Sequence, residues 1–400
     1  MHQLLIIYNG TQAYIMNNLP EIVFTFPACL GGVSSFNYNI INNSRLIKSF
    51  YSKVILLKAE EDERTLFPDS FAADEVITFN FSYKDNQVYV KKRLNGLLGN
   101  TKGAIVTDNS LTITAAKMYN NPKTVFHLIH DFFYVNENVQ LGDLVDVAIA
   151  HSSFFSDAVF SSNPALYAGR NFYIPYGVRQ LPRMPVKNNS DLRLVFLGRL
   201  SEEKGVLKLY EIEKSLKERN IGVTWTIIGT GPLEKQLHRQ WHANTNVQFL
   251  EAGSTEEVYK ILYSQDVFIF PTVFEGTPVS ILECIANGIV VITNDLPGGI
   301  RDIVTENIGF RCDLNDIEQF VENVSLLHNN RVLLKQLQNN CYTFSAHNYD
   351  IKNNADNYFD LFLQYGKFKR DSKNSSVRMS FLDKTLFPNA LVKFIRSKKR

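Results

Sequence analysis

The chain has 400 residues, of which 45% are hydrophobic and 20% charged, and its formal net charge is +2 at pH 7. Because one hydrophobic core stops growing at about 250 to 300 residues, this length predicts two domains rather than one. No segment approaches the ~18 consecutive apolar residues of a membrane span, which argues against an integral membrane protein.

The amino terminus and the cysteines predict a cytoplasmic protein. Residues 1–8 hold a short apolar run with neither a basic region nor a small-residue cleavage site, so we expect no secretory signal. Cys29, Cys284, Cys312 and Cys341 are scattered without a C-x-x-C pair. In a chain of this length they are expected to be buried, reduced thiols rather than a disulfide framework or a metal site.

The first half begins with two strand-like segments, residues 4–8 and 21–27. The second runs into a glycine pair, Gly31 and Gly32, after which Ser34 and Ser35 are expected to cap a helix that starts near Phe36. A glycine pair lets the backbone approach a ligand closely; the alternative is an ordinary tight turn.

Further short apolar runs alternate with polar or helical stretches, which predicts parallel strands at residues 54–58, 75–79, 103–107, 124–129 and 145–150. The strand at 124–129 delivers His130 and Asp131 at its carboxyl end, where open α/β sheets bind ligands. His130 is therefore a candidate functional residue. We expect His127 to be a core histidine with a hydrogen-bond partner.

The second half follows a linker-like stretch, residues 181–190, which holds two prolines and two asparagines and almost no apolar pattern. From residue 191 to about 346 the pattern alternates strand and helix, with strands near Leu194, Trp225, Val247, Val267 and Ile289. This predicts a doubly wound sheet. Residues 351–368 then form an amphipathic helix pattern.

Two cations lie at a predicted strand-to-helix turn in the second half. The apolar run 194–197 leads into the sequence GRLSEEKG at 198–205, which contains Arg199 and Lys204. Arg199 offers a planar donor fork and Lys204 a point charge, and both suit a diphosphate leaving group that gains negative charge.

Two glutamates surround a second turn, in the sequence FEGTPVSILE at 274–283. Glu275 precedes the turn, and Glu283 is expected about two turns into a helix that begins near Pro278. Backbone N–H groups at such a helix start suit a diphosphate, while the carboxylates suit sugar and ribose hydroxyls. The alternative is that Glu275 is an ordinary loop carboxylate and Glu283 belongs to a solvated helix face.

Together GRLSEEKG, IIGTGP at 227–232, EGTPVSILE and TNDLPGG at 293–299 resemble the nucleotide-binding half of retaining GT-B glycosyltransferases of group 1, which include glycogen-synthase-like and lipopolysaccharide enzymes. The resemblance implies an α/β fold with two Rossmann-like, doubly wound parallel-sheet domains facing across a cleft. The expected divisions are an acceptor-side domain at 1–180, a hinge at 181–190, a nucleotide-sugar domain at 191–346, a returning helix at 347–368 and a tail at 369–400.

The resemblance also implies roles for the candidate residues. His130 and Glu275 would position the donor sugar as catalytic residues, and Glu283 would hold the ribose. The donor diphosphate would be bound by Gly31, Gly32, Arg199, Lys204, Gly276, Thr277, Pro278, Val279 and Ser280. Thr277-Pro278 stands where many relatives have Phe-Gly, which puts the donor-sugar contacts in doubt.

The implied reaction retains the anomeric configuration by front-face substitution, in which the departing diphosphate helps deprotonate the acceptor hydroxyl. No D-x-D motif lies at a matching strand end, and Arg199, Lys204 and helix amides supply positive charge, so we expect neither a metal nor another cofactor. The expected donor is a nucleotide sugar, with uridine preferred over guanosine diphosphate, and the expected product a bacterial surface polysaccharide or lipid-linked glycan.

The last residues are strongly basic. From residue 367 to 400 there are eleven Lys or Arg against Asp371 and Asp383, so this stretch carries about +9 and the remainder about −7, which sum to the formal +2. Interleaved apolar residues fit an interfacial helix on anionic lipid at the inner face of the plasma membrane better than a nucleic-acid arm. The alternative is a solvated or disordered tail.

Two other functions remain open from the sequence. One is a sugar-nucleotide epimerase or hydrolase on the same fold, which would need carboxylates placed for proton abstraction that we do not identify. The other is a non-catalytic GT-B partner that binds or stabilises another transferase, against which the presence of Arg199, Lys204, Glu275 and Glu283 argues.

Overall fold

The computed structural model describes residues 19–29, 31–64, 66, 70–180, 191–251, 254–370 and 380–398. The chain divides into two compact units, the first within Met1–His151, Phe155–Ile174 and Lys352–Arg400, and the second within Ser152–Phe154 and Pro175–Ile351. The predicted strand at 4–8 and the predicted hinge at 181–190 lie outside the described residues.

The described strands are, in chain order, β1 (Glu21–Pro27), β2 (Tyr51–Ala59), β3 (Glu75–Phe81), β4 (Gly103–Thr107), β5 (Thr124–Ile129), β6 (Val147–Ala150), β7 (Asn171–Tyr173), β8 (Leu192–Leu197), β9 (Val223–Ile228), β10 (Val247–Leu250), β11 (Val267–Phe270), β12 (Val290–Asn294) and β13 (Gly309–Cys312).

The described α-helices are α1 (Gly32–Asn43), α2 (Gln87–Leu98), α3 (Ser110–Met118), α4 (Phe132–Leu141), α5 (Ser153–Ser162), α6 (Pro164–Tyr167), α7 (Lys208–Glu218), α8 (Glu234–Gln240), α9 (Thr255–Leu262), α10 (Val279–Ala286), α11 (Gly299–Ile303), α12 (Ile317–Asn329), α13 (Arg331–Asn348), α14 (Ile351–Leu363), α15 (Tyr365–Phe368) and α16 (Asn389–Lys398). No described helix combines the length and the apolar character that crossing a membrane requires.

Each unit contains one parallel sheet, and the two sheets share a strand order. The first is ordered β3-β2-β1-β4-β5-β6-β7 and the second β10-β9-β8-β11-β12-β13. In both, the order reverses between the first strand of the unit and the fourth, which is β1 and β4 in one and β8 and β11 in the other. Open α/β sheets bind their ligands at the carboxyl ends of the strands beside this reversal. The two-sheet α/β architecture expected from the sequence is confirmed.

The strands are buried because helices cover them. The side chains at Ile22, Val23 and Phe24 in β1 are fully buried, as expected for a parallel strand in the middle of a sheet. Helix α14 covers part of this strand, since the ring of Phe24 lies 5.9 Å from that of Phe359 and 6.1 Å from that of Phe362. The amphipathic pattern near the end of the chain thus packs its aromatic side on the first sheet.

One local expectation from the sequence is wrong. Helix α1 begins at Gly32 rather than near Phe36, and Ser34 lies inside it, donating its hydroxyl to the carbonyl of Pro27 or Cys29. The first unit includes residues up to Ile174, and Pro175 belongs to the second, in which the Val178 N–H donates to the Tyr349 carbonyl; the division expected at 180 stays a prediction. Strand β13 had no predicted counterpart.

Candidate functional site

Two loops of the second unit are tied together at the reversal of its strand order. The loop after β8 contains a 3-10 turn, Glu202–Lys204, and the loop after β11 contains Thr272 and Glu275. The carbonyl oxygen of Glu203 accepts hydrogen bonds from the Thr272 hydroxyl at 3.0 Å and from the Val273 N–H at 2.9 Å. The Lys204 ammonium donates to Glu275 Oε1 at 2.6 Å. The structure therefore brings together two residues that the sequence predicted for one site.

Glycines allow these loops to approach so closely. Gly205 has a left-handed φ of +67°, and a Cβ placed there would lie 1.9 Å from the Pro271 carbonyl oxygen. A Cβ at Gly231, in the IIGTGP turn, would lie 2.4 Å from the Leu200 carbonyl oxygen. Real Cβ atoms do not make such contacts, so both positions exclude every other residue.

Glu275 is a buried carboxylate with a cation beside it. Burial raises the pKa of this carboxyl above its usual range, while the charge and the hydrogen bond of Lys204 act in the opposite direction. The ring of Phe270 lies beneath the same ammonium, 5.9 Å from Lys204 Nζ. Because a buried carboxylate is costly without a partner, Lys204 is what makes an ionised Glu275 acceptable here.

The loop from Gly276 to Ser280 leaves hydrogen-bonding groups open at the start of α10. Among the described residues, the amides of Thr277, Val279 and Ser280 donate no backbone hydrogen bond. The Thr277 hydroxyl is buried and has no partner in the described part of the chain. Unpaired N–H groups at a helix start favour anions, so this loop has the chemistry of an anion site. Pro278 occupies the N-cap position of α10.

The TNDLPGG motif packs against this loop and forms hydrogen bonds with it. Gly299, at the start of α11, receives the loop directly, since a Cβ there would lie 2.7 Å from the Thr277 Cα, and its N–H donates to the Gly276 carbonyl at 3.0 Å. Asn294 donates its amide to the Thr272 carbonyl at 2.7 Å, and the Thr293 hydroxyl donates to the Phe270 carbonyl at 2.8 Å. The motif was recognised from the sequence, but no role was predicted for its residues. Polar side chains directly after a buried strand could have indicated one.

Glu283 lies closer to the start of α10 than expected. Since the helix begins at Val279, Glu283 is its fifth residue and stands a little more than one turn in, rather than two. Burial raises the pKa of its carboxyl to about 7. Burial, and to a smaller extent the charge of Glu283, raises the pKa of the Tyr259 hydroxyl. A carboxylate that is short of donors in this way is suited to accept hydrogen bonds from a ligand diol.

Arg199 does not join this cluster. Its side chain is exposed, and it forms no salt bridge with any described residue. The structure therefore places Lys204 and Glu275 together. The Gly276–Ser280 loop packs on Gly299, and Arg199 is exposed on the loop after β8.

In the first unit the loop after β1 is open. Gly31 and Gly32 are exposed, and a Cβ at either position would meet nothing within 4 Å. No packing demand of the described chain explains these glycines. The predicted contact of these glycines with a ligand therefore stays a prediction.

His130 follows β5, and the neighbouring strand β4 brings a carboxylate to the same edge of the sheet. Asp108 directly follows β4, is 3% exposed, and its Oδ2 lies 3.7 Å from His130 Nε2. That separation exceeds hydrogen-bond length, and Asp108 Oδ2 has no hydrogen-bond partner among the described residues. Sequence reasoning missed Asp108, although it ends a buried strand just as His130 does.

A second histidine packs against His130. The rings of His130 and His151 lie 4.7 Å apart, and burial, with the charge of His130, holds the pKa of His151 well below its usual range. Tyr358 donates its hydroxyl hydrogen to the Ile174 carbonyl at 2.5 Å, so it must accept from His151 Nδ1 at 2.7 Å. His151 is therefore neutral, with its proton on Nδ1 and a lone pair on Nε2.

The remaining sequence expectations concern ordinary core residues. His127 is fully buried and its Nδ1 lies 2.8 Å from Asn138 Oδ1, which confirms a core histidine with a hydrogen-bond partner. All four cysteines are buried, free thiols, as expected. Within the described ranges no group of three or more His, Cys, Asp or Glu side chains is arranged to hold a metal ion.

The close contact at Gly205 makes a stability prediction. Gly205→Ala should destabilise the second unit by about 3 kcal/mol or more, because the substitution adds a clash to a left-handed backbone. Urea unfolding followed by tryptophan fluorescence isolates this unit, since both tryptophans, Trp225 and Trp241, lie in it. Gly96→Ala, where a Cβ meets nothing within 4 Å, is the control and should leave that transition in place. An unchanged midpoint for Gly205→Ala would contradict the packing.

The pKa of Glu283 predicts a pH dependence of stability. The carboxyl is protonated in both states below its ordinary value of 4.5 and ionised in both above about 7, so burial destabilises the fold fully only above pH 7. Glu283→Gln should therefore stabilise the second unit by about 3 kcal/mol at pH 8, and the gain should vanish toward pH 4.5. The same fluorescence assay measures it. Glu322→Gln, at an exposed helix position, should show no such trend, and a pH-independent gain at Glu283 would refute the assigned pKa.

Comparison with known proteins places this site in a family. Residues 179–344 match the model of the family described as Glycosyl transferases group 1. The Escherichia coli UDP-Gal:alpha-D-GlcNAc-diphosphoundecaprenol alpha-1,3-galactosyltransferase is 27% identical over 206 residues, covering 48% of this chain and 53% of that protein. The amylovoran biosynthesis glycosyltransferase AmsK of Erwinia amylovora is 29% identical over 126 residues, covering 29% and 31%. The chain thus spans about half, or less, of the length of these curated relatives.

Solved structures share the architecture. Sucrose-phosphate synthase from Thermosynechococcus elongatus aligns with a TM-score of 0.69 at 13% identity, over 87% of this chain and 99% of that one. Anabaena HepE, crystallised with UDP and glucose, aligns with a TM-score of 0.68 at 13% identity, over 86% and 99%. At such identity the likeness shows the fold alone. The chain is therefore a protein of the GT-B fold whose second unit is a group 1 glycosyl transferase domain.

Proposed function

We propose that this chain is a retaining glycosyltransferase that moves a hexose-type sugar from a nucleoside diphosphate donor to a glycan or lipid-linked acceptor. The observation that carries the proposal is the site after β8 and β11, where Lys204 pairs with Glu275 and the Gly276–Ser280 loop that follows Glu275 has open amides. A cation, a buried carboxylate and unpaired N–H groups are what a diphosphate-linked sugar needs.

Each group has a role in this proposal. Lys204 and the amides of Thr277, Val279 and Ser280 bind the diphosphate, while Glu283 accepts from the ribose hydroxyls. Arg199, which is exposed and outside the Lys204–Glu275 pair in the structure, is proposed to join them when the diphosphate binds. Glu275 accepts from sugar hydroxyls. Uridine is the preferred base because HepE was crystallised with UDP and the E. coli relative is named for UDP-Gal.

The proposed chemistry needs no protein nucleophile. The acceptor oxygen forms a bond to the sugar C1 on the face from which the diphosphate leaves, the C1–O bond to the diphosphate breaks, and the acceptor proton passes to a diphosphate oxygen. Positive groups that face the leaving diphosphate stabilise the charge that it gains. Lys204 and the loop amides provide this without a metal ion, so metal independence is part of the proposal.

The acceptor is proposed from the relatives. AmsK is named for amylovoran biosynthesis and the E. coli relative for a diphosphoundecaprenol-linked acceptor, so a bacterial surface polysaccharide or lipid-linked glycan is the proposed product class. Such an acceptor places the reaction at the inner face of the plasma membrane, and we propose peripheral association there. The described part of the basic, apolar tail supports this.

The first prediction from this proposal concerns the donor site. In EDTA, the protein should bind and slowly hydrolyse one donor from a panel of nucleotide sugars. Lys204→Ala should weaken binding by roughly tenfold to a hundredfold, because it removes a charge-assisted contact and leaves Glu275 buried without a cation. Glu275→Ala should reduce turnover more than nucleoside diphosphate binding, since its proposed contacts are to the sugar. Calorimetry and product chromatography measure the two effects.

Arg219→Ala is the matched control, since it removes an exposed cation that pairs with Glu318 elsewhere in the second unit, and it should leave binding and turnover unchanged. Release of an altered free sugar nucleotide would instead indicate the epimerase. Binding without turnover, with every acceptor class supplied, would favour the non-catalytic partner. Binding of no donor, or a requirement for added metal, would refute the corresponding part of the proposal.

The second prediction concerns Asp108, which we propose orients His130. Asp108→Asn and His130→Ala should each lower kcat by roughly tenfold to a hundredfold, with affinity for the nucleoside diphosphate unchanged, because neither side chain belongs to the diphosphate site. Asp157→Asn, at an exposed position of α5, is the control. Equal losses in nucleotide affinity and in kcat would show that these residues act through the fold rather than on the sugar.

A further inference from the structure

The carboxyl-terminal segment 380–398 is fastened to the first unit at the start of α2. Asn86 caps that helix, since its Oδ1 accepts from the Val88 N–H at 3.0 Å. The amide group of the same side chain donates to the Phe387 carbonyl at 2.9 Å, and the Asn86 N–H donates to Asn389 Oδ1 at 2.7 Å. One buried asparagine thus holds both the helix start and the segment.

The charged side chains on the inner side of this segment are paired. Asp383 is 4% exposed, accepts from the Gln87 N–H at 2.8 Å and bonds to the Arg396 guanidinium at 3.0 Å. Lys393 pairs with Glu60 at 2.8 Å, and Val392 is fully buried. These charged side chains are therefore all paired, and the segment is a folded part of the first unit rather than a solvated tail.

Large apolar side chains of the segment are exposed. Phe381, Leu386 and Phe394 are 66%, 83% and 61% exposed, and Leu391, one turn before Phe394 on α16, is 45% exposed. Four large hydrophobic side chains from one segment of 19 residues are unusual on a surface that only water contacts. They stay exposed because the contacts with Asn86 and Asp383 fix the backbone that carries them.

Cations accompany these apolar side chains. Lys384 Nζ lies 4.9 Å from the ring centre of Phe381, and Lys398 Nζ lies 5.1 Å from that of Phe394. Neither lysine forms a salt bridge with a described residue. In sequence, Lys399 and Arg400 follow. The unpaired charge on this side is therefore positive, whereas the inner cations are neutralised.

We propose that this outer face, formed by Phe381, Lys384, Leu386, Leu391, Phe394 and Lys398, docks on an anionic lipid surface. Apolar side chains enter the headgroup boundary and lysines contact lipid phosphates, which is the composition that interfacial segments use. The positive charge on the face selects anionic over zwitterionic lipid. The inference deepens the proposed function by naming the surface on which it is carried out, but lipid binding needs no donor and no turnover.

The test is sedimentation of the full chain with vesicles, without any nucleotide. Binding to phosphatidylcholine vesicles that contain phosphatidylglycerol should exceed binding to pure phosphatidylcholine, and salt should weaken it. Lys384→Gln with Lys398→Gln should reduce the anionic preference by roughly fivefold for each lysine. Leu386→Ser with Phe394→Ser should reduce binding to both vesicles. Val332→Ser, which removes an 80% exposed apolar side chain from the second unit, is the control and should bind as wild type does.

Three results would overturn the proposal. One is that wild type does not bind anionic vesicles, and another is that it binds them no less after Leu386→Ser with Phe394→Ser. The third is a dimer in sedimentation velocity that the same variant converts to monomer, which would show that a second copy covers the face. Donor hydrolysis by the same variants, measured without vesicles, separates these results from failure of the proposed function, because the residues of the face are not those of the donor site.

Discussion

The pair between Lys204 and Glu275 is the interaction on which the candidate site depends. A carboxylate as buried as that of Glu275 is costly to ionise, and the ammonium at 2.6 Å offsets that cost. The pair also joins the loops after β8 and β11, which are neighbours at the strand reversal. A diphosphate that binds here would compete with Glu275 for Lys204. Glu275 would then need new donors, and the hydroxyls of a sugar attached to that diphosphate are the donors that arrive with it.

This coupling gives a physical reason for binding the whole donor rather than its fragments. An inorganic phosphate or a free nucleoside diphosphate would draw Lys204 away and leave Glu275 with the Thr272 hydroxyl, 3.1 Å from its Oε1, as a donor, whereas a sugar-bearing donor brings further hydroxyls. Losing Lys204 is costly for Glu275 only if the loops around the carboxylate keep their positions. Close packing at three glycines favours this. Gly205, Gly231 and Gly299 pack backbone against backbone, and separating the loops to hydrate the carboxylate would lose this packing.

The sequence predicted the parts of this site that local pattern encodes. Strand ends, glycine-rich turns and the start of α10 are short-range features, and from them Lys204 and Glu275 were predicted for one site; the structure joins the two side chains by a hydrogen bond. The sequence did not predict that Arg199 would be exposed, because which side of a turn faces the site depends on the packing of the loop. Asp108 was missed because its nearness to His130 follows from the strand order, which no local pattern specifies. The contact of Asn86 with residues 380–398 joins positions some 300 apart, and only the fold reveals it.

The sheet edges at the two strand reversals differ in how many of their polar groups are already hydrogen-bonded. At the second sheet Lys204 and Glu275 already form a hydrogen bond. The open amides and the Thr277 hydroxyl lie on the neighbouring packed loop. At the first sheet Gly31 and Gly32 border open space, and Asp108 stands beyond hydrogen-bond distance of His130. A prebuilt site favours one constant ligand, because its geometry leaves little room for adjustment, while an open one tolerates variation. The nucleotide is the constant part of a sugar donor, so the prebuilt edge of the second sheet fits the nucleotide-binding role proposed for it.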